Sequence, residues 1–334
     1  MSPSFRSTAS ISESERHLKI FAFFLFALFA VSGASPTRDE LRHNACAAAK
    51  SCLDVLLPRC SEQELSPVEN IEYDKKFCEP FVDLKKRGVD LKSPVTHEIF
   101  GHLGSRYRVV YETSGKLPVN GDMMGYLFDH FPFTTALVNV FQGTEYIIHY
   151  NSADQRIFSG NNGKNLFGDF YWVLQDSAGT GRGFHNVFYG SGRCKILKWS
   201  LHGIAVAILD MRPENGFTHY RFKAIVFPAN AVLNSIMKMG FFRDVVNSKI
   251  SEIIKNISES SESYVKGNHA PVDTSPILNK RYAPELAEFR KVAAGELKWT
   301  VGDAVENRKK ASRAKPVFVT ETPMIFKQTN PTGK

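Results

Sequence analysis

One amphipathic block near the end of the core constrains this chain more than any other feature. From Ala229 to Ile257 the residues Val232, Ile236, Met239, Val246, Ile250, Ile253 and Ile257 recur at steps of three and four, with one missed turn at Arg243. That spacing draws a single apolar stripe down one face of an α-helix. At ~1.5 Å per residue the helix is about 40 Å long, the width of a domain. A helix of that length needs a broad apolar bed. The strand-like segments before it in the chain can supply one as a curved sheet, and a sheet wrapped around a long helix leaves room for a cavity.

Those segments come in series. Arg106–Thr113 alternates with Tyr107, Val109 and Tyr111 on one face, as a strand does. Asn120 can cap a short helix carrying Met123, Met124, Leu127 and Phe128, Pro132 breaks it, and Thr134 can cap a second short helix through Phe141. Strand signals follow at Glu145–Tyr150, Gln155–Ser159, Asp169–Gln175, Phe184–Tyr189, Cys194–Trp199, Ile204–Asp210 and Phe217–Phe227, most of them separated by Gly- and Asn-rich turns. Two neighbours in this series can be one bent strand. In the last of them His219, Arg221 and Lys223 share one face while Tyr220, Phe222, Ala224 and Val226 share the other. This alternation marks an antiparallel strand with one buried face.

The two ends differ from this core. Ile20–Val31 is an unbroken apolar run preceded by Arg16 and Lys19 and followed by Ser32, Gly33, Ala34 and Ser35. A charged start, a short apolar stretch and a small-residue exit describe a secretory signal over residues 1–34; the run is shorter than the ~20 residues that span a bilayer. Cys46, Cys52, Cys60 and Cys78 follow closely. Four near-neighbour cysteines in an exported chain imply two disulfides, with three pairings open. Intervening spacings of five, seven and seventeen residues contain no C-x-x-C zinc knuckle. Residues 35–92 therefore read as a small disulfide-rich helical segment, with a helix over Asp39–Leu57 and too little apolar content for its own core. Cys194 reads as a buried apolar residue in a strand. Residues 259–334 turn rich in Ser, Glu, Lys and Pro and lose periodicity, reading as a basic, poorly ordered tail.

The order of one strand, two short helices, a run of antiparallel strands and a long C-terminal helix resembles the helix-grip fold of the START-like, or SRPBCC, superfamily over residues 105–258. The fold class this implies is α+β, an antiparallel sheet gripping a C-terminal helix. The resemblance further implies a cavity between sheet and helix for a lipid-like or other apolar small molecule. Cavity candidates are Trp172, Trp199, Tyr220 and Phe222 on strands and Ile236, Met239 and Gly240 on the helix, where glycine costs ~1 kcal/mol relative to alanine.

Catalytic signals were weighed against that reading. His97-Glu98-Ile99-Phe100-Gly101-His102 is similar to the longer zinc motif of dipeptidyl peptidase III, in which two histidines and a glutamate serve a metal-bound water. The spacing of five turns the second histidine away on a regular helix, and no Glu-Glu pair stands downstream as that family requires. The alternative is a linker helix with surface histidines. There is no G-x-S-x-G elbow or phosphate loop. Asp176, Asp210, His202 and His149 lie in or near strands, where a buried His–Asp pair could do acid–base work as in the cyclases of the superfamily. The formal charge of +8 permits peripheral contact with an anionic membrane; no nucleic-acid motif accompanies it. Asn256-Ile257-Ser258 fits the N-glycosylation pattern. The sequence thus points to an exported, periplasmic or secreted carrier of a hydrophobic small molecule, without a cofactor and more binding protein than enzyme. A non-catalytic envelope or extracellular interaction protein and a zinc hydrolase are the alternatives.

Overall fold

The computed structural model describes residues 36–61, 68, 71–163, 166–175, 183–196 and 199–299. The expected export signal and the chain beyond residue 299 lie outside these. Seven strands form one antiparallel sheet in the order β1-β7-β6-β5-β4-β3-β2. They are β1 (Val109–Leu117), β2 (Ile147–Tyr150), β3 (Ile157–Asn161), β4 (Leu166–Gln175), β5 (Phe184–Ile196), β6 (Trp199–Glu214) and β7 (Phe217–Phe227). Strand signals at Phe184–Tyr189 and Cys194–Trp199 merge: β5 runs through to Ile196, and Trp199 opens β6. Among the described residues three helices precede the sheet, α1 (Arg38–Leu53), α2 (Lys75–Lys86) and α3 (Pro94–Leu103). Two sit between β1 and β2, α4 (Gly121–Asp129) and α5 (Phe131–Gln142). After β7 come α6 (Ala231–Met237), α7 (Gly240–Val265), α8 (Ala270–Asp273), a π-helical turn at Ile277–Arg281 and α9 (Ala283–Ala293). The architecture is an α+β helix grip, with α7 lying against β1 and α5.

The long helix is broken where a continuous one was expected. Asn230 caps α6 by accepting a hydrogen bond from the Leu233 amide at 2.9 Å. The helix then stops after Met237, and Met239 is extended at φ −63°, ψ 140° before α7 begins. A helix end leaves carbonyls without partners. The buried Tyr111 hydroxyl supplies one by donating to the Met237 carbonyl at 2.9 Å, and burial pushes that phenol up to about 12. The break also resets the apolar stripe. Val246, Ile250, Ile254 and Ile257 face inward, while Met239 and Ile253 stand 46% and 39% exposed. Gly240 therefore opens a helix rather than weakening the interior of one.

Both faces of the sheet are covered. Val187, Tyr189, Val206, Ile208 and Ile225 form one buried cluster with Ala45, Phe81, Ile99 and Phe100 of the N-terminal helices. The cysteine-rich head thus completes its core on the sheet face opposite α7. Its disulfides pair Cys46 with Cys60 and Cys52 with Cys78. By chain entropy each loop closure contributes about 3 kcal/mol. α1 ends at Leu53, short of the expected Leu57, because Asp54 adopts the left-handed conformation at φ 51°. In α2 Pro80 has no N–H for the Lys76 carbonyl, and Arg108 donates to that carbonyl instead at 3.4 Å. Close contact between α1 and α3 depends on Gly101, where a Cβ would stand 2.4 Å from the Leu41 carbonyl oxygen.

Residues 259–299 are not the low-order tail the composition suggested. α7 continues to Val265, and Tyr264, Leu278, Leu286, Phe289, Val292 and Trp299 are buried in the same cluster as α4 and α5. The Trp299 indole donates to Asp129 at 2.7 Å, and the Tyr126 hydroxyl donates to the Glu285 carbonyl at 2.7 Å. Asn256 is half-buried in α7, with its amide 3.4 Å from the Tyr146 hydroxyl, so the glycosylation pattern does not sit on an exposed loop. Among the described residues no helix is long and apolar enough to cross a membrane.

Gly101→Ala should destabilise the protein by about 1–3 kcal/mol, since the obstructing atoms are backbone and α1 must shift. Gly203→Ala should change stability little, because its added carbon meets nothing within 4 Å. Equilibrium denaturation of both variants checks the contrast.

Candidate functional site

The site begins with alternation along β6. Val206 and Ile208 point to the head and are 0% and 2% exposed. Their neighbours Gly203, Ala205 and Ala207 take the opposite face, toward α7, and are only half-buried although β6 is a central strand. Strand pairing sets Gly190 beside Ala205 and Gly192 beside Gly203 on β5, and Ala224 beside Ala207 on β7. The middle of the helix-facing surface is therefore floored by glycine and alanine. Ala224 is covered by Phe242 and Val246 of α7, while Gly203, Ala205 and Ala207 stay half-buried.

The opposite wall is the first half of α7. Its inward residues Phe242, Val246 and Ile250 are half-buried, whereas Ile254, Ile257 and Tyr264 further along are buried. Ser251 and Thr113 of β1 exchange a hydroxyl hydrogen bond at 2.9 Å that pins this helix to the sheet edge. One turn earlier on the same face, Asn247 keeps a buried amide oxygen without a hydrogen-bond partner. Leaving such an acceptor unmet costs about 1–3 kcal/mol. A ligand hydroxyl or amine would offset that cost.

Aromatic packing closes the other end. Phe131, Phe158, Phe170, Trp172 and Phe188 stack with neighbouring centroids between 5.2 and 6.4 Å apart. The Trp172 indole is satisfied by Asn186 at 3.0 Å. Trp172 is thus part of a filled core end. A β-bulge after it shifts the register, so Leu174 joins the head-facing cluster rather than sharing the face of Phe170 and Trp172. Tyr220 is buried over Gly115, Phe222 is half-buried beside the small-residue floor, and Ile236 is buried. Met239 and Gly240 face solvent at the helix break. The Trp199 side chain lies outside the described residues, as do those of Cys194 and His202.

The His97–His102 segment is a buried helix rather than a surface linker. His97 and His102 are 9% and 5% exposed. They diverge as five-residue spacing requires: His102 stacks on Phe227 at 5.3 Å, while His97 lies on the side influenced by Arg59 and Arg42. Among the described residues no group of three or more His, Cys, Asp or Glu side chains could hold a metal ion, so the zinc-hydrolase alternative finds no support. Burial lowers His102 to about 4 and raises Glu98 to about 7 against the opposing pull of Arg38. The Glu98 charge in turn adds to the burial that raises Tyr189.

A His–Asp pair does form, also on the head-facing side of the sheet. His185 Nδ1 is 2.8 Å from Asp210, and Arg87 grips the same carboxylate with two hydrogen bonds at 2.7 and 3.1 Å. Burial pulls Asp210 upward, but His185 and Arg87 outweigh it and hold the carboxyl lowered to about 2. A carboxylate so firmly ionised and paired is a structural anchor between α2 and β6 rather than an acid–base group for the helix-facing space. His149 is exposed on β2, and Asp176 lies outside the described residues.

No family model and no curated protein matches this chain. Among solved structures it is similar to Ara h 8.0201, at 9% identity over 46% of this chain and 96% of that one, with a TM-score of 0.32. It is also similar to a conserved protein from Geobacillus kaustophilus, at 13% identity over 46% and 97% with a TM-score of 0.33. A third is the Zhui aromatase/cyclase from Streptomyces sp. R1128, at 9% identity over 47% and 96% with a TM-score of 0.25. At these scores the helix-grip assignment rests on the chain's own strand order and helix placement.

Glu98 makes the head pH-sensitive in a defined direction. Its folded-state pKa is raised above the ordinary carboxyl value, so the folded form holds the proton more firmly than the unfolded one. Stability from this group is present below pH ~4.5 and is lost as pH rises through about 7. Allowing for its partial exposure, Glu98→Gln should stabilise the protein by about 1–2 kcal/mol at pH 8 and leave it unchanged at pH 4. Urea denaturation at both pH values reads the difference.

Proposed function

We propose that this protein is an exported member of the START-like superfamily that binds an apolar small molecule between the sheet and the first half of α7. The observation that carries the reading is the half-buried floor of Gly203, Ala205 and Ala207 beneath a half-buried apolar helix face. Apolar surface left partly wet in the middle of a sheet gains ~25 cal/mol per Å² when a ligand covers it. A lipid-sized molecule could gain several kcal/mol after ordering costs. Asn247 gives the ligand a polar end: an otherwise apolar molecule with one hydroxyl or amine suits the unmet acceptor. α6, set off by the break at Met239, and α4–α5 flank the entrance and can serve as its lid. Two disulfides fit the oxidising compartment that the N-terminal sequence implies.

Ala205→Phe fills the floor and should weaken binding of the neutral probe N-phenyl-1-naphthylamine by about tenfold or more, ~1.4 kcal/mol. The melting temperature should not fall. Unchanged probe affinity in the folded variant, or no bound apolar mass on native mass spectrometry of protein from its own host, sinks the reading.

A further inference from the structure

A second space lies on the opposite side of the sheet and owes nothing to the apolar-ligand reading. It is a groove of about 710 Å³ between α2 and the head-facing side of β6 and β7. Its size falls within the ~300–1,000 Å³ of small-molecule sites, too large for a single inorganic ion. Val82 and Ile208 give it an apolar floor. Cys78, bonded to Cys52, fixes the start of α2 along its wall.

Charge decides what the groove can hold. Its two arginines are already engaged: Arg87 with Asp83 and Asp210, and Arg221 with Glu112 at 2.6 Å. Lys75, Lys76, Lys86 and Lys223 also line it, and among the described residues none of these four has a carboxylate partner. Glu79 is the one lining acid outside an ion pair, and it lies close enough to Arg108 to act on that guanidinium. On a convex surface unpaired lysines are simply solvated. Around a concavity with low-dielectric walls their fields converge, and an ammonium is a strong point-charge partner for phosphate. We propose that this groove binds a phosphate or sulfate ester carrying two or more negative charges, its apolar part resting on Val82 and Ile208.

The chemistry is shared by soluble esters and by anionic lipid headgroups, and two probes separate them. Isothermal titration of the oxidised, mature chain uses inorganic tripolyphosphate. Co-sedimentation uses phosphatidylcholine vesicles with and without cardiolipin, whose headgroup carries two phosphates. The variant K76Q/K86Q/K223Q is compared with a control of equal charge change on α6 to α7, K238Q/K249Q/K255Q. The proposal expects binding that weakens as salt rises and falls about tenfold or more in the groove variant, with the control unchanged and both variants folded by circular dichroism. Tripolyphosphate alone points to a soluble ester; vesicles containing cardiolipin point to a headgroup. Equal loss in both variants, or no binding of either probe by the parent protein, overturns it.

Discussion

A sheet that is apolar on both sides cannot rest against water on either one, and most of this structure follows from meeting that demand twice. On β5 to β7 the residues of one parity, Val187, Val206 and Ile225, need a cover, and those of the other parity, Phe188, Leu209 and Tyr220, need a second. The cysteine-rich head meets the first need and α4, α5, α7 and the C-terminal helices the second. Neither cover would be stable alone. The head is short and alanine-rich, and its large side chains, Phe81 and Phe100 among them, are buried against one another and the sheet. The disulfides narrow its unfolded ensemble without replacing that contact.

The two covers fit differently. The head packs its own helices close, with Gly101 at the contact of α1 and α3, and buries Val187, Val206 and Ile225 of the central strands beside the open groove along α2. α7 is buried along its second half, and on the sheet's helix-facing side Gly203, Ala205 and Ala207 stay half-buried. A tight cover on one side makes a loose one on the other tolerable. The head buries its sheet residues more completely than the helix side buries Gly203, Ala205 and Ala207. Ion pairs between α2 and the sheet lie on the head side, where His97 and Glu98 also bury unmet polar atoms, and Asn247 is such a group on the helix side.

Much of the fold was legible because its periodicities are local. The alternation of Tyr220, Phe222 and Ala224 against Arg221 and Lys223 placed β7, Asn120 and Asn230 placed helix starts, and the four cysteines implied two bridges. What failed depended on distant partners. The break at Met239 is stabilised by Tyr111, 126 residues away in sequence from the Met237 carbonyl it holds. Its local traces are Gly240 itself, which admits a kink among other readings, and the missed apolar turn at Arg243. Helix α2 was not foreseen; its proline leaves the Lys76 carbonyl to Arg108, 32 residues further along the chain. The C-terminal helices looked like tail because Leu278, Leu286, Phe289 and Trp299 are spread thinly among polar residues, and their bed is α4 and α5. Of the cavity candidates with described side chains, Trp172, Tyr220 and Ile236 are buried, Phe222 is half-buried, and Met239 and Gly240 at the break face solvent. The floor of Gly203, Ala205 and Ala207 was missed because small residues carry little apolar signal. Its faint trace in the sequence is the run of alternate small residues through β5 and β6.

The strand order has a consequence for the birth of the molecule. From β2 to β7 every hydrogen-bonded neighbour is also the next strand in the chain, so that part can zip as successive hairpins. Pairing of β1 with β7 is different, since it joins segments about a hundred residues apart, and long-range pairings of this kind are slow. The head leaves the ribosome before any strand, yet the surface it needs on β5 to β7 is among the last made. For that interval it must wait, with nothing to bury its phenylalanines. Its two bridges span only 14 and 26 residues, short enough to close during the wait and to hand the finished sheet a cover already tied.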